Sequence, residues 1–219
     1  MFSIPDRVVE HPDRRPSVSR SVILRHVEIT DETIDLLLGA LADQLQVLGS
    51  HVEIVVIGGS ALTALGLVRR ATRDVDLLAI AENGELRLAE PLPEALLAAR
   101  AAVAADFGLA EDWLNAGPTD LLKWGLPEAF MSRVVTRSYG RTLVVDFASR
   151  LDQIHFKLFA MVDQGGGRHE ADLRALRPTQ GELTAAARWS ITQDPSPGYR
   201  SVLVDALRAL GVNDADLGH

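Results

Sequence analysis

The sequence predicts an α/β fold whose C-terminal part is helical. Three short runs of apolar, largely β-branched residues are typical of buried strands, at 52–57, 74–80 and 142–147. Helical patterns separate these strands, and after residue 151 only helical patterns follow. A chain that mixes strands with helices and then continues as helices alone is expected to form an α/β core with a helical addition.

The expected organisation has three segments. Residues 1–21 are rich in Pro, Arg, Asp and Ser, which predicts a poorly packed N-terminal arm. Residues 22–148 carry the strands and form the predicted α/β core, and residues 149–219 form the helical C-terminal part. Helices are predicted at 31–48 (capped by Thr30), 61–68, 93–107, 151–162, 169–176, 180–191 and 199–210.

Composition narrows the class of protein. The 219 residues include no Cys, which excludes disulfides, thiolate catalysis and cysteine zinc sites. No apolar run approaches the ~20 residues of a membrane span, and the first residues do not resemble a signal peptide. A net charge of −8 argues against non-specific coating of nucleic acid. We therefore expect a cytoplasmic enzyme or binding protein without a membrane partner.

A glycine pair follows the first predicted strand. Gly58, Gly59 and Ser60 lie between the strand and the next helix. Glycines let the backbone approach a phosphate closely, and free N–H groups at a helix start attract anions. Ser60 is expected either to contact a phosphate or to act only as a helix cap. The segment predicts a phosphate cradle, although glycine pairs are also common in ordinary turns.

Two aspartates interrupt the second strand. Asp74 and Asp76 are two residues apart, so both carboxylates are expected on one face of the strand. Neighbouring carboxylates repel each other unless a cation lies between them, and their hard oxygen atoms favour Mg²⁺, with Mn²⁺ as the alternative. An exposed acidic strand is the simpler interpretation, but unpaired charge within an apolar strand is costly. The pattern favours a metal site.

The residues before this pair also invite a role. Arg70 and Arg73 are expected to hold a triphosphate or an RNA backbone, with simple neutralisation of the aspartates as the alternative. No functional role is expected for Arg69. Thr72 is two residues before Asp74 and is expected on the same face. Phosphorylation of Thr72 would place negative charge beside the carboxylates and repel a triphosphate.

The segment Ile54–Leu78 resembles the signature of the nucleotidyltransferase superfamily: an apolar strand, a glycine pair and Asp-x-Asp. With Gly-Gly-Ser-Ala-Leu and Arg-Ala-Thr-Arg-Asp-Val-Asp, it is similar to the AbiEii-like and MenT-type toxins of bacterial toxin–antitoxin systems. The resemblance implies a mixed sheet flanked by helices and transfer of a nucleotide from a nucleoside triphosphate to RNA. The 3′ end of tRNA is the expected acceptor, with growth arrest as the consequence and a cognate antitoxin as partner.

A second element supports the resemblance. Lys157 and Asp172 match the family's lysine-bearing helix and the aspartate of the short helix that follows. In the family, such a lysine contacts nucleotide phosphates and such an aspartate completes the active site. From the residues alone, Lys157 has apolar helix neighbours and needs an anion unless it extends to solvent. Asp172 could instead cap its helix or pair with Arg168.

Several points stay open at the level of sequence. Many superfamily members use a third carboxylate, and Asp146 is the best-placed candidate for it in this sequence. Alternatively, Asp146 caps the helix that follows. Asn115 is a weaker candidate position. Trp113, Trp124 and Trp189 are expected to pack in the core or between domains, with base-stacking platforms as the less favoured alternative, and His155 and His169 are not expected to have a function. Alternative functions are a small-molecule nucleotidyltransferase of the aminoglycoside type and a non-catalytic nucleotide-binding regulatory module.

Overall fold

A computed structural model describes residues 28–213 and 217, so the predicted N-terminal arm at 1–21 lies outside the described residues. The strands are β1 (Val52–Ile57), β2 (Val75–Glu82), β3 (Glu85–Leu88), β4 (Leu114–Asn115), β5 (Val135–Tyr139) and β6 (Leu143–Phe147). The α-helices are α1 (Ile34–Val47), α2 (Gly58–Ala64), α3 (Glu94–Phe107), α4 (Arg150–Gln164), α5 (Gly167–Ala175), α6 (Gln180–Gln193) and α7 (Pro197–Ala209). Short 3-10 helices cover Gly117–Trp124 and Phe130–Ser132.

The strands form one mixed sheet in the order β3-β2-β1-β6-β5, with β4 also paired to β2. Strands β1 and β6 are parallel, as are β2 and β4, while the other neighbours are antiparallel. The α/β class with a mixed sheet flanked by helices is thereby confirmed. In this order β1 and β2 are interior strands. Residues 53–56 of β1 pair with β2 on one side and with β6 on the other.

Side-chain alternation divides β1 between two cores. Ile54 and Val56 face a core that contains the apolar stripe of α1, including Leu37, Leu41 and Leu45. Val55 and Ile57 face the opposite core, which contains Phe156 of α4 and Trp189 of α6. Both faces of the central strand are therefore covered by helices, which is why β1 has a nearly continuous apolar sequence.

The helical C-terminal part packs on the second face of the sheet. Helix α4 begins after Ser149, whose hydroxyl accepts a hydrogen bond from the backbone N–H of Asp152. Helix α6 begins with a reciprocal capping box between Thr179 and Glu182. A third apolar cluster joins these helices to α2, α5 and α7. Residues 150–213 therefore cover one face of the sheet.

Several boundaries differ from the sequence prediction. Helix α1 begins at Ile34, and its N-cap residue is Thr33 and not Thr30, because residues 31–33 form a turn in which the Thr33 hydroxyl accepts a hydrogen bond from the N–H of Thr30. The glycine pair is the first turn of α2 and does not precede it. Strand β3 was not predicted; Asn83 and Gly84, both with positive φ, turn the chain back into a hairpin. The segment around Leu121, which lies outside the predicted strands and helices, is a 3-10 helix.

Within the described residues, we find no helix of the length and apolar character that crossing a membrane requires.

Candidate active site

A cleft of about 490 Å³ opens where β1 passes into α2. Four parts of the chain line it: the β1–α2 junction with β2, the 3-10 helix Gly117–Trp124, the middle of α4 with the start of α5, and the end of α6. Three of the predicted site residues, Gly58, Asp76 and Lys157, meet in this cleft although about 100 residues separate the first from the last.

Asp76 lies at the sheet side of the cleft, whereas Asp74, directly before β2, is not among the described residues that line it. Asp76 stands beside Ile57 in the β1–β2 register, so its side chain reaches the start of α2. Burial, and after it the like charge of Asp74, raises the pKa of Asp76 from 3.8 to about 6. The hydroxyl of Thr72 is 3.3 Å from Asp74 Oδ1, and Asn115 Nδ2 is 3.4 Å from Asp76 Oδ1. Both of these partners are neutral groups, while the charges of Lys157 and Arg168 partly offset the rise in the pKa of Asp76.

The donor set of this pair fits a hard divalent cation. Among residues 28–213 and 217, no group of three or more His, Cys, Asp or Glu side chains is arranged to hold a metal ion. Mg²⁺ at phosphate-transfer sites commonly takes only one or two carboxylates and completes its octahedron with waters and substrate phosphates. The raised pKa of Asp76 identifies a carboxylate whose charge a cation would satisfy. Asp74 and Asp76 are thus the residues that would hold such an ion.

Gly58 and Gly59 are required here by close contacts. Gly58 has φ of +76°, and a Cβ at this position would lie 2.5 Å from Asp76 Oδ2. A Cβ on Gly59 would lie 3.0 Å from both Arg70 Nη2 and the Thr72 hydroxyl oxygen. Gly58 therefore makes room for Asp76, and Gly59 makes room for the side chains of Arg70 and Thr72.

The expected phosphate cradle is only partly available. The backbone N–H of Gly58 already donates to Gln153 Oε1 on α4 at 3.2 Å. Ser60 is fully buried, and its hydroxyl donates to the carbonyl oxygen of Ile57 at 3.4 Å. Of the three cradle residues, only Gly58 belongs to the described lining of the cleft. Ser60 therefore does not cap α2, whose N-cap residue is Ile57; its hydroxyl bonds within its own turn instead.

Lys157 and Asp172 form the centre of a buried ion cluster. Lys157 Nζ lies 2.8 Å from Asp172 Oδ2, and both side chains are almost fully buried. Arg70 donates to the same carboxylate from Nε at 2.8 Å and from Nη2 at 2.6 Å. Burial by itself raises the pKa of Asp172, but hydrogen bonds from Arg70 and Lys157 outweigh it and lower the pKa. The structure thus unites Lys157, Asp172 and Arg70, and Asp172 pairs with these two and not with Arg168.

The remaining predicted residues near the aspartates occupy different places. Arg73 is exposed, and it is not among the described residues that line the cleft. Thr72 shares the side of Asp74 as expected, but it is buried and its backbone bridges to Ile29. Phosphorylation of Thr72 stays a prediction, and it would require the hydroxyl to leave Asp74.

Asp146, the candidate third carboxylate, lies elsewhere on the sheet. Asp146 belongs to β6 and is paired in register with Val55 of β1. Its carboxylate accepts a hydrogen bond from the Thr136 hydroxyl, and Glu53 lies close to it. Asp146 is not among the described cleft residues, nor does it cap α4, which Ser149 caps. Asn115, the weaker candidate, is the one that reaches Asp76. The structure brings a neutral amide to the aspartate pair at this position.

Three cleft residues were given no role in the site from the sequence. Arg168 and His169, at the start of α5, line the cleft beside Lys157, and burial together with the charge of Lys157 lowers the pKa of His169. A glycine run directly before them, at a helix start, was the available signal. Trp124 also lines the cleft and is 68% exposed, so the prediction that it packs in the interior is wrong. Trp113 and Trp189 are buried as expected.

The geometry therefore assembles carboxylates, cations and an apolar wall around one cleft of ligand size. Comparison of the chain with family models, with curated proteins and with solved structures gave no match.

Proposed function

We propose that the protein is a metal-dependent nucleotidyltransferase that moves a nucleotide from a nucleoside triphosphate to an RNA acceptor. The observation that carries the proposal is the meeting of Asp76, Gly58 and Lys157 at one cleft, with Asp74 directly before the strand that carries Asp76. These residues come from the two motifs whose combination resembles nucleotidyltransferases. The acceptor, with the 3′ end of tRNA as the first candidate, and the role as the toxin of a toxin–antitoxin pair rest on that resemblance.

The charges of the cleft support a phosphate ligand. Lys157, Arg168 and Asp76 all line the cleft, and Asp74 lies close enough to Asp76 for its charge to raise the pKa of Asp76. A bound Mg²⁺ would neutralise phosphate oxygens and stabilise the charge that develops as the nucleotidyl group transfers. In the reaction an acceptor hydroxyl oxygen bonds to the α-phosphorus, the bond to pyrophosphate breaks, and the hydroxyl proton is released. Lys157, held by Asp172, supplies fixed positive charge for the phosphates.

The lining gives less support to a cationic small-molecule acceptor. An aminoglycoside-type substrate needs an acidic pocket. Besides Asp76, the described lining contains Asp120 as an acidic residue, and Asp120 Oδ1 is 2.7 Å from Lys123 Nζ. With Lys157 and Arg168 also present, the cleft offers such a cation little net negative charge. An RNA acceptor, itself an anion, requires no acidic pocket.

The test offers each labelled nucleoside triphosphate, with Mg²⁺ or Mn²⁺, to the full chain together with bulk tRNA or a panel of aminoglycosides. Wild type is compared with Asp74→Asn and Asp76→Asn, and Asp43→Asn, an exposed change on α1, serves as the matched control. Label on tRNA with wild type and the control, but not with the site variants, supports the proposal. Equal labelling by all four proteins, or label on none of the acceptors, overturns it. Nucleotide binding without any transfer would indicate the regulatory module instead.

A further inference from the structure

Trp124 is an unusual tryptophan in this chain. Its side chain ends the 3-10 helix at the edge of the cleft and is 68% exposed, whereas Trp113 and Trp189 are 0% and 9% exposed. Large aromatic side chains are normally buried, because exposure forfeits much apolar contact. An indole kept in water at the edge of a cleft is typical of a surface that a planar ligand covers.

The backbone next to Trp124 is firmly positioned. Gly125 adopts φ of +91°, a conformation that favours glycine, and its carbonyl oxygen accepts two hydrogen bonds from α6. The donors are Trp189 Nε1 at 3.1 Å and Gln193 Nε2 at 2.9 Å. Because α6 packs against α4, which carries Lys157, the chain beside the exposed indole is tied to the same scaffold as the cation.

Gln193 provides a second, independent observation. It is 9% exposed and lines the cleft, and its Oε1 is buried without a hydrogen-bond partner among the described residues. The orientation of its amide follows from the contact with Gly125, because only the NH₂ group can donate to that carbonyl oxygen. An unpaired buried acceptor costs free energy, which an N–H of a ligand would recover.

We propose that Trp124 and Gln193 form a nucleobase subsite of the cleft. The indole face stacks on the base, and Gln193 Oε1, after a small side-chain adjustment, accepts a hydrogen bond from an N–H group at the base edge. This inference rests on the proposed function, since the base belongs either to the donor triphosphate or to the terminal nucleotide of the acceptor. The cleft has a volume of about 490 Å³, which is within the usual range for ligand pockets. It can hold a base beside Trp124 and the phosphates near Lys157.

The test measures binding to the full chain in Mg²⁺ by calorimetry and by intrinsic fluorescence. The ligands are inorganic tripolyphosphate, which has no base, the four nucleoside triphosphates, and the unphosphorylated trinucleotide CCA. The variants are Trp124→Ala, Trp124→Phe and Gln193→Met, with Val47→Ala on α1 as an exposed apolar control. Base stacking on an aromatic side chain predicts that Trp124→Ala weakens binding of a base-bearing ligand about 5- to 150-fold. Trp124→Phe should retain most of the binding, and tripolyphosphate should bind all variants equally.

The outcomes separate the two proposals. Loss of affinity for nucleoside triphosphates alone assigns the subsite to the donor, and loss for the trinucleotide alone assigns it to the acceptor; both support a nucleobase subsite. If Trp124→Ala binds every base-bearing ligand as wild type does, the subsite is refuted, while tripolyphosphate binding leaves the proposed function standing. If none of the ligands binds wild type, the proposed function and the subsite fail together.

Discussion

Replacement of Gly58 by alanine tests the geometry of the candidate site most directly. The new Cβ would lie 2.5 Å from Asp76 Oδ2, whereas ordinary van der Waals contact begins at 3.4 Å. The carboxylate, or the backbone that carries the Cβ, must therefore shift by about 1 Å, and a misplacement of that size can cost roughly 100-fold in rate. Gly49 provides a matched control, because its φ is +64° and nothing lies within 4 Å of an added Cβ.

The two substitutions separate backbone strain from displacement of Asp76. Each places a Cβ in the left-handed region and should lower the free energy of unfolding by about 1–2 kcal/mol. Only Gly58→Ala should also reduce nucleotide transfer, by roughly 100-fold, while Gly49→Ala keeps wild-type transfer. Urea unfolding and the labelled-triphosphate assay measure the two effects. Full transfer by Gly58→Ala would refute the close approach of Gly58 and Asp76 on which the site is built.

Three further predictions concern buried or paired carboxylates, and urea unfolding in metal-free buffer checks each. Asp76→Asn should raise the free energy of unfolding by about 1–3 kcal/mol at pH 8, because folding raises the pKa of the Asp76 carboxyl group from 3.8 to about 6. The gain should vanish below pH 4, where the carboxyl group is protonated in both states. A gain that persists below pH 4 would contradict this cause. Asp172→Asn should cost about 3–5 kcal/mol, because it leaves Lys157 buried without its carboxylate, and adding Lys157→Met should recover part of the loss; no recovery would argue against the pair. Hydrogen bonds from Arg150 lower the pKa of Glu182 from 4.5 to about 2, so its contribution is complete above pH 4.5 and is lost as the pH falls through about 2. Glu182→Gln should flatten that part of the stability profile, and an unchanged profile would exclude Glu182 as its source.

The strands and helices were predicted well where the local pattern decided them. Strand β1 has the predicted bounds, and α3 begins within a residue of its prediction, because an apolar run and a proline-led helix carry their own signals. Strand β3 was missed because its residues are mostly exposed and it depends on pairing with β2. The 3-10 helix that carries Trp124 was also missed; it is only eight residues long and begins with Gly117 and Pro118.

The residues of the candidate site also divide into those that local spacing identifies and those that it does not. Asp74, Asp76 and Gly58 could be identified from spacing, because strand alternation and glycine geometry act over a few residues. The grouping of Arg70, Asp172 and Lys157 could not, since no local rule pairs residues 102 positions apart. Asp146 illustrates the limit: its place within the predicted strand at 142–147 was right, but the neighbouring strands direct it toward Thr136 and Glu53.

The sequence by itself determined the α/β class, the central strand and the aspartate pair, because each depends on hydrophobic periodicity or spacing within one element. Only the tertiary structure decided which side chains share the cleft. It engaged the N–H of Gly58 with Gln153, turned Ser60 inward, and left Trp124 exposed at the edge. The physical reason is that burial and charge pairing are properties of packed elements, and the partners that complete a buried ion cluster are chosen by the fold and not by neighbours in the chain.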